Sequence, residues 1–256
     1  MDLDRYGPWA LIVGGSEGIG AAFAQKLAGA GFSLALVARK EGPLDDLAEA
    51  LRAGGTEVRT LSVDLGQPGA VERVRAVTDD VEVGLLIYNA GANSVRGHFV
   101  DLDPEVYRSV IAVNVTGQTE FVHHYGAPMC RRGRGGIILC GSTASYMGSA
   151  TLATYNASKA FSRIFSESLW AECRDLGVDV LHLNVGFTAT PAMARLGYTL
   201  DAAQAPEEVA QEGLDHITDG PVWIVGGPRN VELAVQRSTV EHRARAVLEF
   251  ATPGRS

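Results

Sequence analysis

Ala10-Leu11-Ile12-Val13 runs directly into Gly14-Gly15-Ser16-Glu17-Gly18-Ile19-Gly20, and from there into a segment near Ile19 to Ala30 with apolar residues at helical spacing. An apolar run, a glycine turn and a helix in that order predict a strand whose chain reverses at its carboxyl end. Glycines let the backbone turn tightly and approach a ligand, while free N–H groups and the dipole at the head of the helix favour an anion such as a pyrophosphate. The spacing is GxxxGxG rather than the commoner GxGxxG.

Outward from this unit the alternation repeats. Strand-like runs recur at Leu34 to Val37, Val58 to Val63, Leu85 to Ile87, Ile137 to Cys140, Val178 to Leu183 and Val222 to Val225. Helical patterns lie between them, near Pro43 to Ala53, Pro68 to Asp79, Pro104 to Arg131, Ala153 to Leu176 and Pro206 to Ile217. This regularity predicts an α/β fold, a doubly wound, Rossmann-like parallel sheet of about seven strands with helices on both faces. No repeat, low-complexity tract or linker interrupts the chain, so residues 1–256 read as a single domain. The ends, including a tail over about 250–256, and the Pro191 to Ala205 stretch read as loosely held.

Composition narrows the partners. With 46% hydrophobic and 20% charged residues the chain reads as globular and soluble, and 22 basic against 30 acidic residues give a net charge of −8. That sign argues against a nucleic-acid or anionic-membrane surface and leaves small molecules as the expected partners. No run approaches the apolar length of a membrane span, and Met1-Asp2-Leu3-Asp4-Arg5 lacks a signal-peptide pattern, so the expected location is the cytoplasm. Cys130, Cys140 and Cys173 are odd in number and widely spaced, and they read as buried thiols rather than disulfides or metal ligands. His123 and His124 are adjacent and point different ways on a helix, so no metal site is expected.

Thr154-Tyr155-Asn156-Ala157-Ser158-Lys159 opens a helical pattern in which Tyr155 and Lys159 share a face one turn apart. A free tyrosine, with a pKa of about 10, is a poor acid or base at neutral pH. A positive charge about 5 Å away, at an effective dielectric of about 20, is worth roughly 3 kcal/mol and predicts a phenol that titrates in working range. Ser142 ends another strand-like run, Leu139-Cys140-Gly141-Ser142, and strand carboxyl ends are where open α/β sheets place ligands. Arg39, at the end of the second run, suits the additional 2′-phosphate of NADP, where an acid would suit NAD.

Together these stretches resemble the short-chain dehydrogenase/reductase family, in its single-domain branch, from about Trp9 to Gly227. The family's TGxxxGxG loop is matched by Gly14, Gly18 and Gly20, with Val13 in place of the threonine and Ser16, Glu17 and Ile19 within the loop. Asp64 and Leu65 match the position that brackets the adenine. Asn89, Ala90 and Gly91 match the end of NNAG, with Tyr88 in place of its first asparagine. The segment from Asn184 to Thr190 resembles PGxVxT, with Val185 replacing the proline. Gly186, Thr188 and Thr190 there are implied to hold the nicotinamide carboxamide.

The resemblance implies a catalytic set of Asn114, Ser142, Tyr155 and Lys159. Asn114 is implied to sit at a helix kink in a proton relay, Ser142 to hold the substrate oxygen and Tyr155 to pass the proton. Lys159 would lower the tyrosine pKa and bind the cofactor ribose. The implied activity is hydride transfer between NADP(H), with NAD possible, and an apolar carbonyl compound or secondary alcohol. Tyr146, Met147, Met193, Leu196 and Tyr198, together with a substrate loop over about 187–205, are implied to form the pocket. A homodimer or homotetramer is expected through the helices Tyr107 to Met129 and Tyr155 to Trp170. Other readings are a catalytically silent nucleotide-binding sensor or scaffold of the same fold, and a methyltransferase. Neither of these needs the four-residue set.

Overall fold

A computed structural model describes residues 1–91, 96–201 and 203–251. Strand β1 (Trp9–Val13) runs through the middle of the molecule, and its alternation divides the core in two: Ala10 and Ile12 join one apolar cluster, Trp9, Leu11 and Val13 the other. The other strands are β2 (Ser33–Ala38), β3 (Val58–Ser62), β4 (Val83–Tyr88), β5 (Gly135–Cys140), β6 (Val178–Asn184) and β7 (Val222–Ile224), and β2, β4, β5 and β6 repeat that division. All pair in parallel, in the order β3-β2-β1-β4-β5-β6-β7. The seven expected strands are therefore present in the expected orientation.

The connecting helices cover both faces. After α1 (Leu3–Tyr6) come α2 (Gly18–Gly29), α3 (Glu41–Ala53), α4 (Ala70–Arg75), α5 (Pro104–Ile111), α6 (Gln118–Arg132), α7 (Ala153–Cys173), α8 (Pro191–Arg195), α9 (Pro206–Asp215), α10 (Pro228–Ser238) and α11 (Arg243–Ala251). Phe23 and Leu27 of α2, Leu44 and Ala48 of α3 and Val209 and Ala210 of α9 bury against one face; Val74 of α4, Phe121 and Met129 of α6 and Cys173 of α7 bury against the other. Each Leu, Ile or Phe so buried stabilises the fold by about 1.5–3 kcal/mol. No helix among the described residues is long and apolar enough to cross a membrane.

Some boundaries differ from the sequence reading. The pattern Pro68 to Asp79 forms a helix only over Ala70–Arg75. The long pattern after Pro104 is interrupted by a π-helical turn, Ala112–Gly117, which joins α5 to α6. The stretch read as loosely held contains α8, and the loop around it is closed at its base, where the Gln204 N–H donates to the Phe187 carbonyl at 3.0 Å and the Ala189 N–H to the Gln204 carbonyl at 2.9 Å. Of the expected loose tail, residues 250–251 belong to α11 and 252–256 lie outside the described residues.

Candidate active site

The strand order reverses beside β1, where β2 leaves on one side and β4 lies on the other, and a crevice opens at the carboxyl ends of the strands. The backbone closes its floor. Gly14 N–H donates to the Val37 carbonyl at 2.7 Å, and the N–H groups of Asn89 and Ala90 both reach the Val13 carbonyl, at 2.9 and 2.8 Å. The Asn89 amide then holds the Gly14 carbonyl at 2.9 Å. Gly14 has φ +87°, and a Cβ there would lie 2.7 Å from the Ala90 nitrogen, so this turn needs glycine on two counts.

Two cavities of about 350 Å³ each meet in this crevice, sharing Ile19, Asn89, Gly91 and Thr190. The first is lined by Gly14, Ser16, Glu17, Gly18, Arg39, Asp64, Leu65 and Ala90; the second by Ser142, Tyr155, Lys159, Gly186 and Thr188. The residues expected from the sequence thus converge here, except two that lie just behind: Gly20, packed against the Gly14 carbonyl, and Asn114. A Cβ on Gly91 would lie 3.0 Å from Lys159 Nζ and 3.3 Å from Asn114 Oδ1, so the bare backbone of Gly91 is what lets the walls come this close.

Several site side chains are already engaged. Asp64 accepts from the Gly66 N–H at 2.9 Å, which shapes the turn after β3. Ser142 caps a short 3-10 turn by accepting from the Ala144 N–H at 3.1 Å. Thr190 caps α8 by accepting from the Met193 N–H at 3.3 Å. Lys159 is buried and donates to the Cys140 carbonyl at 3.0 Å, while Asn114 is buried in the π turn and donates to the Val110 carbonyl at 3.0 Å. Interruptions of this kind in helices are frequent at functional sites. Tyr88 accounts for the departure from NNAG: its buried hydroxyl donates to the Val113 carbonyl at 2.6 Å, tying β4 to that turn.

The electrostatics differ from the expectation that Lys159 lowers the Tyr155 pKa. Burial of the phenol raises it above the ordinary 10.0, and the hydrogen bond with Ser142 only works the other way. Burial also pushes Lys159 down to about 8, and its ammonium lies 5.8 Å from the Tyr155 ring centroid. Desolvation is the largest cause of both shifts.

Of the residues assigned to the substrate side, Met193, Leu196 and Tyr198 line the second cavity, whereas Tyr146 and Met147 do not. Tyr146 instead lies under Arg163 and beside α10, and buried Met147 gives its carbonyl to the Asn156 amide at 2.6 Å. The chain turns after Ser142, which carries both residues away from the opening. Sequence reasoning missed four contributors. Asn184 donates to the Ser142 carbonyl and to Ser145 Oγ, both at 3.0 Å. His182, wholly buried, packs its ring against Gly141, and burial pushes its pKa down to about 3. Arg195 pairs with Glu17, and Arg96 stands at the rim. A polar residue inside the apolar run of β6 was the available signal for the first two.

The arrangement is similar to known proteins over most of its length. Residues 8–200 match the model of the short chain dehydrogenase family. The 7beta-hydroxysteroid dehydrogenase of Clostridium sardiniense is 31% identical over 228 residues, covering 87% of each chain. A solved 7beta-hydroxysteroid dehydrogenase superposes with a TM-score of 0.90 at 30% identity, over 97% of this chain and 98% of that one. A short-chain dehydrogenase from Sphingobium yanoikuyae in complex with NADPH gives a TM-score of 0.80 at 28% identity, over 97% and 99%.

Proposed function

Because the chain belongs to the short-chain dehydrogenase family, we propose that it is an oxidoreductase transferring hydride between NADP(H) and an apolar ketone or secondary alcohol, with Tyr155 as its proton donor and acceptor. One observation carries this reading: Ser142, Tyr155 and Lys159 line a single cavity that runs into the glycine-turn cavity at the switch point of the sheet. A silent nucleotide-binding scaffold would have no use for that triad.

The cavity walls fit a dinucleotide. The glycine turn at the head of α2 offers backbone N–H groups to a pyrophosphate, Asp64 and Leu65 bracket an adenine, and the small surface of Gly91 leaves room beside Lys159. The bound cofactor supplies the hydride. Ser142 holds the substrate oxygen and stabilises charge developing on it, Tyr155 Oη gives or takes the proton, and Lys159 binds the ribose hydroxyls. Asn114, fixed in the π turn, stands behind Lys159 as its relay partner.

NADP is preferred over NAD in this reading, supported by Arg39 and Lys40 in the cofactor cavity and by the NADPH-bound relative. Assembly is part of the same proposal: Ile111 on α5 and Phe161 and Ile164 on α7 are 41%, 38% and 51% exposed, an apolar surface suited to a homodimer or homotetramer. The deciding test is NADPH oxidation by the purified protein, followed by absorbance, with a panel of ketosteroids, 3-oxoacyl thioesters and cyclic ketones. Turnover of at least one is expected, and none with any class would refute the proposal.

A further inference from the structure

The second cavity carries a charge pattern unlike the rest of the chain. The protein has a net charge of −8, yet no carboxylate lines this cavity among the described residues. Its two cations are Lys159, buried on the floor, and Arg96, exposed at the rim. Several arginines elsewhere are matched by acids, among them Arg5 by Asp179, Arg59 by Asp80, Arg163 by Glu167 and Arg195 by Glu17. Arg96 has no carboxylate within ion-pairing distance among the described residues. It bonds the hydroxyl of Tyr198, and its guanidinium lies 5.6 Å from that ring.

Tyr198 comes from the far side of the opening, after α8, and packs edge-on against Phe187 with centroids 5.8 Å apart. A neutral aromatic rim therefore holds Arg96 across the mouth without neutralising it. Below the rim Leu152, Met193 and Leu196 give the wall an apolar portion, and the floor holds the Ser142–Tyr155 pair. A guanidinium offers paired N–H donors that match an oxyanion, and partial removal of water by the aromatic rim strengthens the match.

We propose that the substrate is an apolar ketone or secondary alcohol bearing an oxyanion at the end remote from the reacting carbon, and that Arg96 binds that oxyanion. This rests on the assignment of the cavity to carbonyl chemistry made above. The anion could be a carboxylate on the carbon skeleton or the phosphates of a coenzyme-linked thioester, and the same recognition serves either.

The test compares each anionic substrate with a neutral counterpart: a keto acid with its methyl ester, and a 3-oxoacyl coenzyme A thioester with its pantetheine analogue. Wild type should favour one anionic member by about tenfold or more in kcat/KM, through KM, with the preference shrinking as salt rises. In Arg96→Leu that ratio should collapse toward one; Arg96→Lys should retain part of it, and Tyr198→Phe, which keeps the charge, should retain most. The pair that shows the preference identifies the source of the oxyanion. Equal kcat/KM within both pairs in wild type, or a ratio that survives Arg96→Leu, overturns the inference alone. Absence of turnover with every ketone removes the carbonyl assignment and this inference with it.

Discussion

Arg195 reaches from α8 back to the glycine turn and grips Glu17 with two nitrogens, at 2.7 and 3.2 Å, while Lys40 approaches the same carboxylate at 3.2 Å. The Arg195 hydrogen bonds hold the Glu17 carboxyl below its ordinary range. A lone carboxylate in the glycine turn would repel the NADP phosphate; between two cations Glu17 is largely neutralised. All three side chains are partly exposed, so the cluster contributes little to stability and acts mainly on the field over the cavity.

Cofactor choice follows from Arg39 together with that cluster. Arg39→Ala should lose most of the NADPH over NADH preference, by about tenfold or more in Kd, since the guanidinium proposed to grip the 2′-phosphate is removed. Glu17→Ser should increase the preference by releasing Lys40 and Arg195, and the gain should shrink at high salt. Fluorescence titration of both cofactors decides it, and equal or tighter NADH binding by wild type would refute the reading of Arg39.

Tyr155→Phe keeps the ring and loses the transferable proton. NADPH affinity should stay within a few-fold of wild type while kcat falls by ~10²–10⁴-fold, the usual contribution of general acid–base catalysis. Retention of more than about a tenth of kcat would remove Tyr155 from the proton-transfer role.

Lys159 gives a stability prediction with a definite sign. Its pKa is about 8 in the folded protein against the ordinary 10.5, so between those values the unfolded chain binds more protons and stability climbs with pH. Below about pH 8 the buried charge costs the fold roughly 3 kcal/mol. Lys159→Met should therefore be more stable than wild type at pH 7, with the gain fading toward pH 10.5, and should be inactive. Urea unfolding across pH 6–10 checks it, and a gain that does not vary with pH would refute the charge as its cause.

Tyr88→Phe removes the bond from the Tyr88 hydroxyl to the Val113 carbonyl inside the core. A loss of about 1 kcal/mol is expected, or about 2–4 °C in Tm. Because Val113 precedes Asn114 in the π turn, kcat should fall as well. Unchanged kcat with lowered Tm would confine Tyr88 to a structural role.

Ile164→Glu places a charge in the exposed apolar surface of α7. Light scattering at micromolar concentration should find wild type larger than a monomer and the variant shifted toward monomer; a wild-type monomer refutes the assembly.

The sheet was legible because β1, β4 and β5 are apolar runs closed by Gly14, Asn89 and Gly141, and burial on both faces leaves no polar alternation to confuse them. The helices α1, α8, α10 and α11 were not read, since they are short or lie beyond the alternating pattern. Residues tied to a motif, such as Ser142 and Lys159, could be placed by spacing. Arg195 and Arg96 could not, because their meaning depends on Glu17 and Tyr198, 178 and 102 residues away. The Tyr155 pKa was misjudged for a similar reason: charge separation can be guessed from helical spacing, whereas desolvation depends on everything packed around the phenol.

The bridge between Thr188 and Gln204 closes the loop that carries α8, so its two ends leave the sheet side by side. One wall of the second cavity is thus carried on a single closed loop. A segment of different length grafted between Arg195 and Gln204 should leave the first cavity and the Arg195–Glu17 pair in place, because each doubling of loop length adds only about 0.6 kcal/mol in closure entropy. Under the proposed assignment, exchange of one surface insert reshapes the pocket without revision of the core beneath it.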